Sequence, residues 1–545
     1  MKNRILSRVL GCTLISTLIL GSLAACSKEN VDTNEQGTSE ESIVSVASEA
    51  TEEITYPLED VTLSIAMVAS GTVNAHYKGR EETPFWSAWQ EQTGVKLELT
   101  EVTDYTALNL LYAGGELPDI IIASLNNYTG GASKAIEDKI VEPLNNYMEY
   151  APDLQAVFDS NDLYYKSCVT PEGDIVGFPF VRGDDYLCTS YGIIARADWL
   201  NDLGKDIPET PDELYDVLKS FKEEMGAEVP LTVSSGTLKT WWIGHGLLAA
   251  GFGLPAGNFY QVDGVVHYGF AEKELKSVLI YLKKLYDDGL LDPNFSTLDD
   301  AMVKSNILDG RSGVTSGSPG GNMGSWLKAM ADDDTYDLVG VGSMTPEKGE
   351  VSTGGHKENA VTGMYAFITP QCKNIEAAMK FLNYGYTEAG HMLFNFGIEG
   401  ESYTLVDGEA IFTEWITDNP DGWSMTQAMS AYCNSWNSGP FVQDKGYMTQ
   451  YAGMQQQINA ITTWMDNDRG DYIIPNITIN TDDAAEFSRL ASEIDAYVDE
   501  MLVKFISGLI SIDAFESEYL PTIKQLGVDR YIEIEQNALD EFNSR

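Results

Sequence analysis

Two tryptophans stand side by side in "TLKTWWIGHG", Trp241 and Trp242, where a strand-like stretch runs into a Gly-containing helix start. Adjacent residues of a helix point about 100° apart, so one core face cannot take both rings and one of them should face a cleft. Trp326, Trp415, Trp423 and Trp436 lie in similarly polar stretches containing Gly, Ser or Asn, whereas Trp89 and Trp199 occupy apolar helical positions and belong to packing. Aromatic planes set among Asp, Asn and Arg are suited to a sugar ring. The ring's apolar C–H face stacks while its hydroxyls take hydrogen bonds, and a concave, partly apolar site supplies both.

The residues that make or break bonds do not assemble into a known pattern. The five histidines (His76, His245, His267, His356 and His391) are too far apart for helical ligand spacing, and no Cys/His set or HExxH accompanies them. "GVTSG" (313–317) puts Thr where a nucleophile elbow needs Ser. "SGSPGGNMGSW" (316–326) has the glycines of a phosphate loop without its Lys-Ser/Thr, and reads as a close-approach loop beside a ligand or a hinge. "DNDRGD" (466–471) has Asp at the first and third places of a calcium loop, but its Gly comes one place early and no Glu closes it; it reads as an exposed loop. The 83 Asp and Glu residues single out no carboxylate pair of the kind a glycosidase uses.

These residues need a scaffold, and the pattern that supplies one begins at Leu58. "VTLSIAMVA" reads as a strand, Pro84–Thr93 as a helix, "VKLELTEV" as a second strand and "DIIIAS" as a short buried one. Strands interleaved with helices predict an α/β fold with a mostly parallel sheet. In "ETPDELYDVLKSF", Thr210 is an N-cap, Pro211 suits the first turn and Glu213 completes a capping box, after which Leu214, Val217, Leu218 and Phe221 share one face. A second helix carries Ile494, Val498, Met501, Leu502, Phe505 and Ile506 on one stripe and stops at Gly508.

The amino terminus addresses the chain. Lys2, Arg4 and Arg8 precede an apolar run from Val9 to Leu23, the layout of a secretory leader and too short for a membrane span. Leu23-Ala24-Ala25-Cys26 resembles a bacterial lipobox, in which Cys26 is acylated after cleavage; lipid chains then hold the protein at a membrane surface. Residues 27–55, rich in Ser, Thr, Glu and Asn, cannot bury enough apolar surface to order themselves and read as a tether. Some 490 residues follow, enough for two cores. The formal net charge of −49 repels nucleic acid and anionic lipid headgroups. Cys168, Cys188, Cys372 and Cys433 match no metal motif, and disulfides are permitted outside the cell without being required.

Four blocks, in order, resemble one family. They are "GDIVGFPFVRGDDYLCTSYGIIARADWLNDLGKDIPETPDELYDVLKSFK" (173–222), "GVVHYGFAEKELKSVLIYLKKLYDDGLLDPNF" (264–295), "GMYAFITPQCKNIEAAMKFLNYGYTEAGHMLFNFGIEGESY" (363–403) and "FISGLISIDAFESEYLPTIKQLGVDRYIEIEQNALDEF" (505–542). On these the chain is similar to the extracellular solute-binding proteins of family 1, the binding components of ABC importers. The resemblance implies a two-lobe α/β fold of the type II periplasmic-binding-protein kind, with a ligand cleft between lobes joined by crossover hinge segments. It places residues 57–180 and 352–400 in the first lobe, and 181–351 and 401–545 in the second, after a leader (1–25) and a tether (26–56). It implies a monomeric, non-enzymatic protein, lipid-anchored on the outer face of the bacterial cytoplasmic membrane, that captures an oligosaccharide and delivers it to permease subunits. A same-fold binder of peptide or another polar solute, or a surface glycoside hydrolase, is the alternative. No cofactor is implied. Relatives carry a calcium loop after the "LKSFK" helix; here "EEMGAEVPLTV" (223–233) is too short and too poor in carboxylates, so no metal is carried over. The candidate ligand contacts, chosen for their places in or beside cleft-bordering loops, are Trp241, Trp242, Tyr191, Asp185, Asn322, Trp326, Trp436, Glu401 and Tyr403.

Overall fold

A computed structural model of the protein describes residues 54–434 and 439–545. The leader, Cys26, nearly all of the tether and Trp436 lie outside these described residues.

The first lobe is built on a six-stranded sheet whose strands lie in the order β13 (Phe441–Gln443), β4 (Phe178–Arg182), β10 (Val361–Ile368), β3 (Ile120–Ser124), β1 (Val61–Val68) and β2 (Val95–Val102). β1 (Val61–Val68) and β3 (Ile120–Ser124) are parallel neighbours in its interior. Ile120, Ile121, Ile122 and Ala123 are all buried, as an unbroken apolar run requires when helices cover both faces. β2 (Val95–Val102) pairs parallel with β1 at the sheet edge and alternates buried with exposed residues near its start. Between them the Pro84–Thr93 helix buries Phe85, Trp86 and Trp89 and ends on Gly94 in the left-handed region.

β4 (Phe178–Arg182) carries the chain out of this sheet, and β5 (Gly192–Arg196) starts the second lobe's own sheet. β6 (Phe259–Val262) and β7 (Val265–Tyr268) form a separate hairpin. β8 (Val314–Gly317) and β9 (Leu338–Val341) flank β5, both antiparallel to it. β10 (Val361–Ile368) returns to the first sheet, antiparallel to β3 and β4. The expected mostly parallel sheet is therefore confined to part of the first lobe. In the second lobe the strands that meet are delivered by long helical excursions in alternate directions, which a parallel reading of short apolar runs does not register.

The second-lobe core packs the Pro211–Glu223, Leu275–Asp287 and Thr481–Ser507 helices together. All six stripe residues of the last helix are buried, and Gly508 closes it at φ 75°. Thr210 caps the first as expected, accepting from Glu213 N–H at 3.2 Å. The capping box is displaced by one residue, since the Glu213 carboxylate accepts from Glu209 N–H (2.9 Å).

Between 397 and 451 the chain serves both lobes. β11 (Tyr403–Val406) and β12 (Glu409–Phe412) form a hairpin packed with Phe396 in a small core of their own. The Met425–Tyr432 helix packs on the first-lobe helices Gly71–Asn74 and Pro84–Thr93. β13 (Phe441–Gln443) then adds parallel to β4. Arg182, at the end of β4, ties three crossover segments together: it pairs with Glu358, donates to Gln443 Oε1 at 3.2 Å, and its N–H meets Ala360 O at 2.8 Å. Burial raises the Glu358 pKa, but nearby His356 and the Arg182 charge outweigh it and hold the carboxylate down at about 2. Cys168, Cys188 and Cys372 are buried free thiols.

Candidate ligand cleft between the lobes

Two cavities open where the first-lobe strands end, the position at which open α/β sheets present ligands. One, of about 600 Å³, has Val68, Ser70, Ile122 and Met364 on its first-lobe side and Gly321, Thr426 and Tyr451 opposite. The other, of about 790 Å³, sets Ser124, Asn126 and Asn127 against Asn258, Phe259 and Tyr268. Tyr105 and Met364 line both, so the two are compartments of one cleft. A larger groove of about 1710 Å³ lies elsewhere, around Tyr56, Tyr384 and the β11–β12 hairpin, away from the strand ends.

Each wall follows from local folding. Asp104 caps the Tyr105–Gly114 helix, accepting from Ala107 N–H (2.8 Å), and this sets Tyr105 on the first turn facing the cleft. Ser124 N–H reaches the Tyr105 hydroxyl at 3.4 Å, fixing the ring over the end of β3. Opposite, the Gly-rich loop after β8 makes the close approach expected of it. A Cβ on Gly320 would sit 2.1 Å from the Tyr451 ring, so only glycine lets that ring lie against the loop. The lining mixes carboxamides and hydroxyls with Tyr and Phe faces, which suits a polyhydroxylated ligand.

The expected contacts divide. Trp241 is the partly exposed member of the doublet, and its ring stacks on Tyr191 (4.1 Å) and His245 (4.7 Å). His245 lines the second cavity, so Trp241 and Tyr191 stand behind the wall and support it. Trp242 is a correction: it is fully buried, and its Nε1–H donates to Ser316 Oγ at 2.9 Å. The Leu238–Gly244 stretch is a π-helical turn, which carries Trp242 into the second-lobe core. Trp326 is likewise a core residue, packed with Ile194, Met323 and Trp464. Tyr403 is buried against Phe396 beside the outer groove, and Glu401 is exposed on the same turn; neither lines the cleft cavities. Asn322 spends its Oδ1 on the Ser318 N–H (2.9 Å) and hydroxyl, shaping the Gly-rich loop. Asp185 is exposed just after β4, 3.4 Å from Lys357 of the returning segment, which makes it a hinge residue.

Other cleft residues escaped the sequence reading. Asn126, Asn127 and Asn258 lie in turns whose composition is ordinary for loops, so nothing marked them. Arg469 lies in the "DNDRGD" loop read as exposed; its Asp neighbours are exposed, but Arg469 itself is 4% exposed and lines the cleft. Among the described residues, no group of His, Cys, Asp and Glu is arranged to hold a metal ion.

Three comparisons agree with this geometry. Lipoprotein LipO of Bacillus subtilis (strain 168) is 27% identical over 358 residues, 62% of this chain and 67% of that protein. The polygalacturonan/rhamnogalacturonan-binding protein YtcQ of the same organism is 24% identical over 456 residues, 79% of this chain and 82% of that one. In fold, the chain superimposes on the S. pneumoniae ABC-transporter substrate-binding protein FusA in complex with kestose with a TM-score of 0.70, at 18% identity, over 89% of this chain and 99% of that one. The family model for bacterial extracellular solute-binding proteins matches residues 78–392, more than half the chain. This chain is a member of the bacterial extracellular solute-binding protein family.

Proposed function

We propose that the protein is a lipid-anchored extracellular substrate-binding protein that captures an oligosaccharide in the interlobe cleft and hands it, intact, to the permease of an ABC importer. The observation that carries this reading is the cleft itself. It lies at the strand ends, takes walls from both lobes and is lined by carboxamides, hydroxyls and aromatic faces. That YtcQ is described as binding polygalacturonan and rhamnogalacturonan, and that FusA was solved with a fructooligosaccharide, supports a sugar as the ligand here. A ligand touching both walls favours the closed arrangement, and the closed shape is what a transporter reads. Acylation at Cys26 keeps the monomer beside that transporter, with residues 26–56 as its leash. The lobes divide as 57–180 with 352–400, and 181–351 with 401–545, with β13 and the Met425–Tyr432 helix as return contacts of the second segment on the first lobe.

The test is a thermal-shift screen of the purified chain against di- to tetrasaccharides, with each stabilising sugar recovered and weighed by mass spectrometry. Stabilisation with intact sugar supports capture. Stabilisation with cleaved sugar makes the protein a hydrolase, and stabilisation by peptides alone removes the carbohydrate reading.

A further inference from the structure

One buried charge in the cleft has no ion-pair partner among the described residues. Arg469 is 4% exposed, and its Nε and Nη1 have no hydrogen-bond partner. No acidic side chain among the described residues reaches its guanidinium as an ion pair. Burying a charge is costly unless something compensates it, and a buried cation left alone is among the most expensive arrangements a protein retains. Arg80, the arginine of the other compartment, shows the ordinary solution: it pairs with Glu101 and donates to Val68 O at 2.8 Å.

The surroundings of Arg469 tell which charge is missing. The cavity it lines contains four other charged side chains. Glu358 is held by Arg182, Asp495 by Lys239 at 3.0 Å, and Lys357 lies 3.4 Å from Asp185. The fourth, Glu535, is buried, and burial pushes its pKa up to about 7, so near neutrality much of it is protonated and able to donate a hydrogen bond. His245 lines the same cavity with an unpartnered, buried Nδ1 and stays neutral, its pKa lowered to about 3 by burial. The local balance is one uncompensated positive charge beside neutral hydrogen-bonding groups. A planar guanidinium in that setting matches a carboxylate.

The position of the loop supports a built site. Asp468 N–H donates to Ser352 O (2.8 Å), Arg469 N–H donates to Asn467 Oδ1 (2.9 Å), and Asn359 Nδ2–H donates to Ile474 O (3.0 Å). The backbone carrying Arg469 is thus pinned to the returning crossover segment, so a ligand charge bound there pulls on the hinge as well as on the wall.

We propose that Arg469 anchors a carboxylate of the captured sugar, so that the ligand is an acidic oligosaccharide containing uronic-acid units. This rests on the sugar-capture reading above. The test is calorimetric titration of the full chain with uronic-acid oligosaccharides of two to four units, the methyl esters of the same compounds, and neutral oligosaccharides of equal length. The acid that binds should do so about tenfold or more tighter than its ester, a gap that narrows with added salt. Arg469→Gln should abolish the preference and Arg469→Lys should keep part of it, while Tyr105→Ala weakens acid and ester alike. If Arg469→Gln fails to fold, the acid-against-ester comparison on the unaltered chain decides. Esters or neutral sugars binding as tightly as the acids would overturn the role of Arg469 and leave sugar capture standing. Peptide binding with no response to any sugar series would overturn both.

Discussion

At Trp242 the indole is sealed inside the second lobe and its N–H is satisfied by Ser316, so the residue acts on stability alone. Trp242→Ala should destabilise the protein by about 3–5 kcal/mol in denaturant melts, with the folded fraction binding ligand unchanged. Tyr105 is the opposite case, a half-buried ring common to both compartments. Tyr105→Ala should weaken ligand binding about tenfold by calorimetry with little change in stability. Glu535 makes stability depend on pH. Its folded pKa is raised from 4.5 to about 7 by burial, so its favourable contribution is whole below pH 4.5 and is lost as the pH rises through 7. The loss amounts to about 3 kcal/mol, and Glu535→Gln should remove it, raising the melting temperature at pH 8 and leaving it nearly unchanged at pH 5. The sequence marked the doublet but not which ring turns inward, because that choice is made by a π-helical turn that no periodicity announces. Arg469 was hidden by its neighbours: exposed acidic residues on both sides make a loop look solvated whatever one side chain does.

Among the elements, the crossover segments carry the most consequence. Arg182 binds β4, the 358–360 stretch and β13 to one another, so its loss loosens three segments together. Arg182→Met should destabilise by about 2–3 kcal/mol, less than a sealed pair would because a third of the Glu358 side chain is exposed. The double variant Arg182→Met/Glu358→Gln should recover part of that, since it removes the charge left behind, and urea melts of the two variants check it. Local signals were enough for β1, β2, β3 and the helices that cap themselves, because alternation, an apolar run, Thr210 and Gly508 are readable one window at a time. They were not enough for β13, three residues whose strand character comes wholly from lying beside β4, nor for the antiparallel second sheet, whose strands are separated by long helical excursions.

For the whole molecule, the resemblance carried by four sequence blocks extends to the family and to the two-lobe fold. The formal charge of −49 favours solubility and makes a buried cation without an ion-pair partner in the cleft the more unusual. A sugar bound by both walls at once should draw the two lobes together. Small-angle X-ray scattering of the chain, with and without the oligosaccharide giving the largest thermal shift, tests it most directly. A smaller radius of gyration is expected with ligand, and the change should be lost in Tyr105→Ala at the same sugar concentration. An unchanged scattering profile at saturating ligand would contradict it.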